Sequence, residues 1–263
     1  MRTATFLPII AWIASFLLFS CKTGEKRTSI EERDTLALSF NLIASFPHDQ
    51  TAFTQGLVIH DGKILESTGQ EGSWIAEVDM ASGMQNKKIT LPNQHFGEGI
   101  TVLNNKIYQL TWQSHLGFIY KAGTYEKIHE FPYETEGWGL THDGENLIMS
   151  DGTNKLYFLD TLNLKVIKTI AVRIGNEPVK NLNELEYVNG FLFANQWETT
   201  YIYKIDPKSG KVLGRLDLSS LKSEIKRINP HADVLNGIAY DPKSKAFLIT
   251  GKLWPKAYLI RIL

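Results

Sequence analysis

From Leu36 onward the chain is written in short runs that alternate apolar and polar residues. KILEST (63–68), KIYQLT (106–111), KLYFLD (155–160) and TYIYKI (200–205) are examples. Turn dipeptides separate the runs: Asp61-Gly62, Asn104-Asn105, Asp143-Gly144, Asn189-Gly190 and Ser209-Gly210. A period of two bounded by such dipeptides predicts antiparallel strands joined as hairpins. One stretch, SSLKSEIKR (219–227), has helical spacing instead. The fold class expected is therefore all-β.

A longer period lies over this alternation. A polar or aromatic residue, in most cases followed by glycine, precedes the apolar start of a strand at Gln55-Gly56, Glu98-Gly99, Trp138-Gly139, Asn183-Glu184 and Asn236-Gly237. The intervals are 43, 40, 45 and 53 residues, the last stretched by the helical insert. About 40–50 residues per four-stranded unit is the period of a propeller blade, so five starts predict a five-bladed β-propeller. The chain after Ile238 has room for three strands of the last blade. The early strand LALSFNLIASF (36–46) is expected to supply the fourth and so close the ring without a free sheet edge. A β-sandwich accounts for the alternation equally well but gives no reason for a five-fold repeat.

In a propeller the innermost strand of each blade lines a central channel. The position before each inner strand then falls at one end of that channel, giving a ring of Gln55, Glu98, Trp138, Asn183 and Asn236. The second strand returns to the same face, so its end adds an outer ring with Trp112, Asp151, Trp197 and Lys252. Phe53 and Phe96 lie two residues before Gln55 and Glu98 and share their faces. Glu98 is the single carboxyl group of the inner ring. Surrounded by indoles and phenyl rings it should be desolvated, its pKa should rise, and it should become able to take and give protons. Gln55 and Asn236, taken singly, read as channel residues that hold water. Trp74 and Trp254 read as packing, and Asp151 as a turn residue.

Bulk properties narrow the function. Acidic and basic residues balance at 28 each, which disfavours a nucleic-acid partner. The first twenty residues, with Arg2 and an apolar run from Phe6 to Phe19, have the form of a signal peptide. The run ends Leu18-Phe19-Ser20-Cys21, similar to a bacterial lipobox, and Cys21 is the one cysteine of the chain. The expectation is an exported bacterial lipoprotein, periplasm-facing or outer-membrane anchored, that meets the membrane only through lipid on Cys21. Residues 21–36 would be a polar tether and residues 37–263 the catalytic domain, acting as a monomer. The seven histidines are scattered without metal-ligand spacing, and no G-x-S-x-G or phosphate-cradling loop occurs. Neither metal nor cofactor is expected.

Ten stretches, read in order, carry a resemblance. They are AFTQGL (52–57), ESTG (66–69), FGEGIT (96–101), LTW (110–112), EGWGLT (136–141), SDG (150–152), NELEY (183–187), NQW (195–197), LNGIAYD (235–241) and TGKLWP (250–255). Together they resemble the plant- and bacterial-type glutaminyl-peptide cyclotransferases, the glutamine cyclotransferase family. That resemblance covers residues 39–263 and implies a five-bladed propeller unrelated to the zinc-dependent animal enzymes. It implies conversion of the N-terminal glutamine of a peptide or protein to pyroglutamate with release of ammonia. Carried over by motif, Glu98 is the catalytic acid/base. Phe53, Gln55, Phe96, Trp112, Trp138, Asn183, Trp197 and Lys252 form the substrate pocket. Two other readings are a non-catalytic propeller that binds peptide N-termini or sugars and a metal-dependent propeller hydrolase. The latter needs several convergent carboxylate or amide ligands, where the inner ring has one carboxylate.

Overall fold

A computed structural model describes Met1 and residues 35–263. The expected signal segment, Cys21 and the tether up to residue 34 lie outside the described residues. The alternating runs form strands where expected: five sheets of four or five strands make a five-bladed β-propeller, and a sixth, two-stranded sheet pairs Arg173–Ile174 with Glu177–Pro178. Each blade starts on one of the repeated motifs. The inner strands are Thr54–His60, Gly97–Leu103, Leu140–His142, Leu182–Val188 and Leu235–Asp241. Each packs against the next, and the fifth packs against the first, so the inner strands close a ring.

Blades are held to one another by apolar clusters, one in each gap. Ile100, Ile107 and Phe118 meet Val58 and Ile75 between the first two blades. Phe193 and Ile202 meet Ile249 and Tyr258 between the last two. The strands alternate because one face of each sheet packs on each neighbouring blade, while the outermost strands face solvent. Helix Ser219–Ile228 lies between the fourth and fifth blades and buries Leu221 and Ile225, one turn apart, in the same cluster as Trp254.

The N-terminal chain departs from the single strand expected over 36–46. Phe40–Pro47 pairs antiparallel with Lys256–Ile262 and is the outermost strand of the fifth sheet. Ala37 and Leu38 pair instead, in parallel, with Arg215 and Leu216 of the fourth sheet. The chain thus changes sheets at Ser39. Leu38 packs over Gly214, where an added Cβ would lie 2.6 Å from Leu38 Cδ1 and make that side chain shift.

The axis is crowded with backbone. A Cβ on Gly99 would lie 2.5 Å from Leu140 N and 2.7 Å from Trp138 O, and one on Gly139 would run into the Asn183 carbonyl. These neighbours are main chain and cannot rotate away, so only glycine fits. Inner-strand backbone groups that face the axis have no strand partner on that side, and side chains serve them. Ser67 Oγ donates to Glu98 O at 2.6 Å, Ser150 Oγ donates to Asn183 O at 2.7 Å, and Asn195 Oδ1 accepts from Gly237 N at 3.1 Å. In each case the second strand of one blade grips the start of the next blade's inner strand, where the ring residues sit. Glu184 reaches across the axis and accepts from Leu57 N at 3.3 Å and Ile238 N at 2.7 Å, joining the fourth blade to the first and fifth.

Candidate active site

At the end of the channel where the inner strands begin, the ring residues and the second-strand ends enclose a cavity of about 290 Å³. Glu98, Gln55 and Asn183 stand at its base. Phe53, Phe96, Trp112, Trp138 and Trp197 wall it, and Lys252 enters from the turn after the fifth blade's second strand. All nine residues singled out in the sequence thus line one hollow. Asp151 does not. Its carboxylate accepts from Thr153 N at 3.0 Å and Tyr157 Oη at 2.9 Å, as befits a turn residue. Trp74 and Trp254 are buried packing residues.

The walls are interlocked aromatic edges and faces. Phe96 meets Phe53 at 6.2 Å and Trp112 at 5.6 Å, and Trp138 meets Trp197 at 5.7 Å with planes at 88°. Lys252 Nζ sits 4.5 Å from the centre of the Phe53 ring, a cation–π contact away from water. Glu98 is 4% exposed and Lys252 5%. Burial lifts the Glu98 carboxyl well above the ordinary carboxylate range. The Lys252 charge opposes the lift, and the negative charge of Glu136 adds to it. Burial lowers the Lys252 ammonium, with Glu98 and Asp233 holding it up. Desolvation therefore dominates the pair, and each group is biased towards its neutral form. Among the described residues the side-chain donor to Glu98 is Gln55, whose Nε2 lies 3.1 Å from Oε1.

Two lining or bracing residues escaped the sequence reading. Asp233, in the loop before the fifth inner strand, is the tenth lining residue. Glu136 braces the wall: its Oε2 accepts from Trp112 Nε1 at 2.8 Å and Trp138 Nε1 at 2.9 Å, and its Oε1 accepts from Gln113 Nε2 at 3.0 Å. Glu136 stands two residues before Trp138, the offset that places Phe53 and Phe96 on their ring members' faces. Applied to every ring position, that offset would have found it. Asp233 has no periodic signal.

The family profile for glutamine cyclotransferase matches residues 13–262. The chain belongs to the glutamine cyclotransferase family. It is 41% identical over 225 residues to the glutaminyl-peptide cyclotransferase of Arabidopsis thaliana, covering 84% of this chain and 70% of that protein. Among solved structures, the glutaminyl cyclase of Myxococcus xanthus superposes with a TM-score of 0.82 at 35% identity, over 86% of this chain and 97% of that one. A Bacteroides caccae protein of unknown function shares the fold alone, with a TM-score of 0.50 at 16% identity over 64% of this chain and 68% of that one. The cyclotransferase-family chain thus carries, in one aromatic hollow, a buried carboxyl group, two primary amides and a buried amine.

Proposed function

We propose that the protein converts the N-terminal glutamine of peptides or proteins to pyroglutamate and releases ammonia, with Glu98 as the general acid/base. Membership in the family supports the reaction. The observation that carries the mechanism is the desolvated Glu98 carboxyl at the base of an aromatic hollow, with Lys252 among the lining residues. At about 290 Å³ the hollow is at the small end of ligand pockets, roughly 300–1,000 Å³. It suits one folded-back residue at a chain end better than an extended segment.

The reaction closes a five-membered ring within one molecule, so the site must hold the bent conformer rather than bring two reactants together. An α-amine has a pKa of about 7.7–8.0 and attacks only when neutral. A carboxyl group raised towards that range exchanges a proton with the amine at little cost. Ionised Glu98 takes one proton from the α-ammonium. The freed amine attacks the γ-carbonyl, the C–N bond forms, and negative charge appears on the carbonyl oxygen. Protonated Glu98 then gives its proton to the departing amide nitrogen, the old C–N bond breaks, and ammonia leaves. The ring nitrogen gives its remaining excess proton to Glu98, and passage of that proton to the released ammonia, which departs as ammonium, restores the carboxylate.

Lys252 is the strongest candidate to stabilise the developing oxyanion: burial lowers its pKa, but Glu98 and Asp233 favour its charged form, and a buried cation acts with little screening. Asn183 supplies an acceptor: its Oδ1 is buried and has no hydrogen-bond partner among the described residues, so it can take an N–H from the substrate. The aromatic walls reduce the water that can reach the tetrahedral species. In this scheme Glu98 makes every proton transfer, and we assign no step to a metal. Incubation with a Gln-initiated peptide should release ammonia, at a rate unchanged by chelators. No ammonia from such a peptide, with the fold intact, would leave a binding propeller as the reading.

We further propose that the chain is exported and lipidated at Cys21. The apolar segment followed by Leu18-Phe19-Ser20-Cys21 supports this. Fatty-acid labelling in bacteria should be lost in Cys21→Ser, and persistence of the label in that variant would refute the anchor.

A further inference from the structure

Behind the lining residues, a hydrogen-bonded chain leads from the backbone to Glu98. Asn236, which is fully buried, places its Nδ2 3.0 Å from Thr54 O and 3.0 Å from Gln55 Oε1. Gln55 in turn places its Nε2 3.1 Å from Glu98 Oε1. The order of donors along this chain is forced. A backbone carbonyl can only accept, so Asn236 must turn its amino group to Thr54. The same amino group then meets the oxygen of Gln55, which leaves Gln55 only its own amino group to offer Glu98. A flipped Asn236 would set its oxygen against the Thr54 carbonyl. In the unflipped orientation its Oδ1 lacks a partner among the described residues.

We propose that Asn236, which does not line the hollow, is a positioning residue that locks the Gln55 amide in one orientation and thereby keeps Glu98 facing a donor. The proposal rests on Glu98 being the acid/base. A donor bonded to a carboxylate favours its ionised form, so the lock holds down the affinity of Glu98 for its proton and fixes the oxygen that accepts. Without it, Gln55 can rotate and turn its oxygen to Glu98. Only a protonated carboxyl bonds to that oxygen, so the proton is held more tightly.

The other groups that bear on Glu98 sit on different elements. Lys252 approaches from the fifth blade, with Asp233 beyond it, and Glu136 and Tyr133 approach from the loop before the third blade. None of them hydrogen-bonds Asn236, so substitution there isolates the lock.

The test is Asn236→Ser in the otherwise unchanged protein. The serine hydroxyl can still serve the Thr54 carbonyl but is too short to hold Gln55. The carboxyl of Glu98 is titrated without substrate by carbon-13 NMR of glutamate-labelled protein, its resonance being the one lost in Glu98→Gln. We expect the titration to move up by about one pH unit, a tenfold change in proton affinity, and the acid limb of kcat/KM to move with it. In a Gln55→Leu background, Asn236→Ser should move it no further. A folded Asn236→Ser protein whose Glu98 titrates as in wild type would overturn the proposal. So would an equal shift in the Gln55→Leu background. If no Asn236 variant folds, the wild type still decides. The Gln55 amide protons, identified by their loss in Gln55→Leu, must shift as Glu98 titrates, and their indifference would refute the lock. None of these titrations needs turnover, so they stand apart from the acid/base reading, which is decided by ammonia release in wild type and Glu98→Gln.

Discussion

Glu98→Gln should lose about 10²–10⁴-fold in kcat, the usual worth of a positioned proton shuttle, while KM for a Gln-initiated peptide changes little. The substitution keeps the shape of the side chain and its acceptor oxygen for Gln55, but it cannot take the amine's proton or deliver one to ammonia. The five aromatic walls, Lys252 and Asn183 remain to bind the substrate, which is why binding and turnover should separate. Stability should not suffer. Glu98 is 4% exposed and its carboxyl is pushed well up by burial, so a neutral amide in its place removes a group that resists ionisation there. Steady-state ammonia release and thermal unfolding of the same preparation check both halves. Loss of activity together with collapse of the fold would not support a catalytic role, whereas retention of most turnover would remove Glu98 from the mechanism.

Much of this site was legible because the propeller repeats its geometry. Once the intervals identified five blade starts, one rule of position placed Gln55, Glu98, Trp138 and Asn183 around an axis. The return of the second strand placed Trp112, Trp197 and Lys252 beside them. What the repeat does not encode was harder to see. Asp233 reaches the hollow from an irregular loop that follows the helix, and no period leads to it. The chain Asn236–Gln55–Glu98 depends on which way two amides face. That is settled by a backbone carbonyl at Thr54, which looks like any other in a sequence. The switch of sheets at Ser39 is hidden for a related reason: apolar residues continue at every second position from Leu36 to Phe46, and no turn dipeptide marks a break. Patterning reports which face a residue takes; it does not report which partner waits on that face.

The electrostatics of the hollow came down to a contest that the sequence alone could not decide, since aromatic burial and a neighbouring lysine push Glu98 in opposite directions. In the structure, burial prevails. Lys252→Met tests what the lysine contributes within that outcome. Methionine keeps an unbranched chain against Phe53 but has no charge and no donor. If Lys252 stabilises the oxyanion, kcat should fall about 10²–10³-fold, the typical effect of deleting one such donor. A second effect has a definite sign. The lysine cation now lowers the pKa of Glu98, so its removal must raise that pKa further. Ionised Glu98 is the form that accepts the amine's proton, so the acid limb of kcat/KM should move to higher pH. Glu136→Gln must do the opposite, because the negative charge it removes is one that raises Glu98. Opposite displacements of the same limb by these two substitutions would tie that limb to Glu98. Displacement in one direction by both would detach that limb from Glu98, and a kcat left intact in Lys252→Met would remove Lys252 from oxyanion stabilisation.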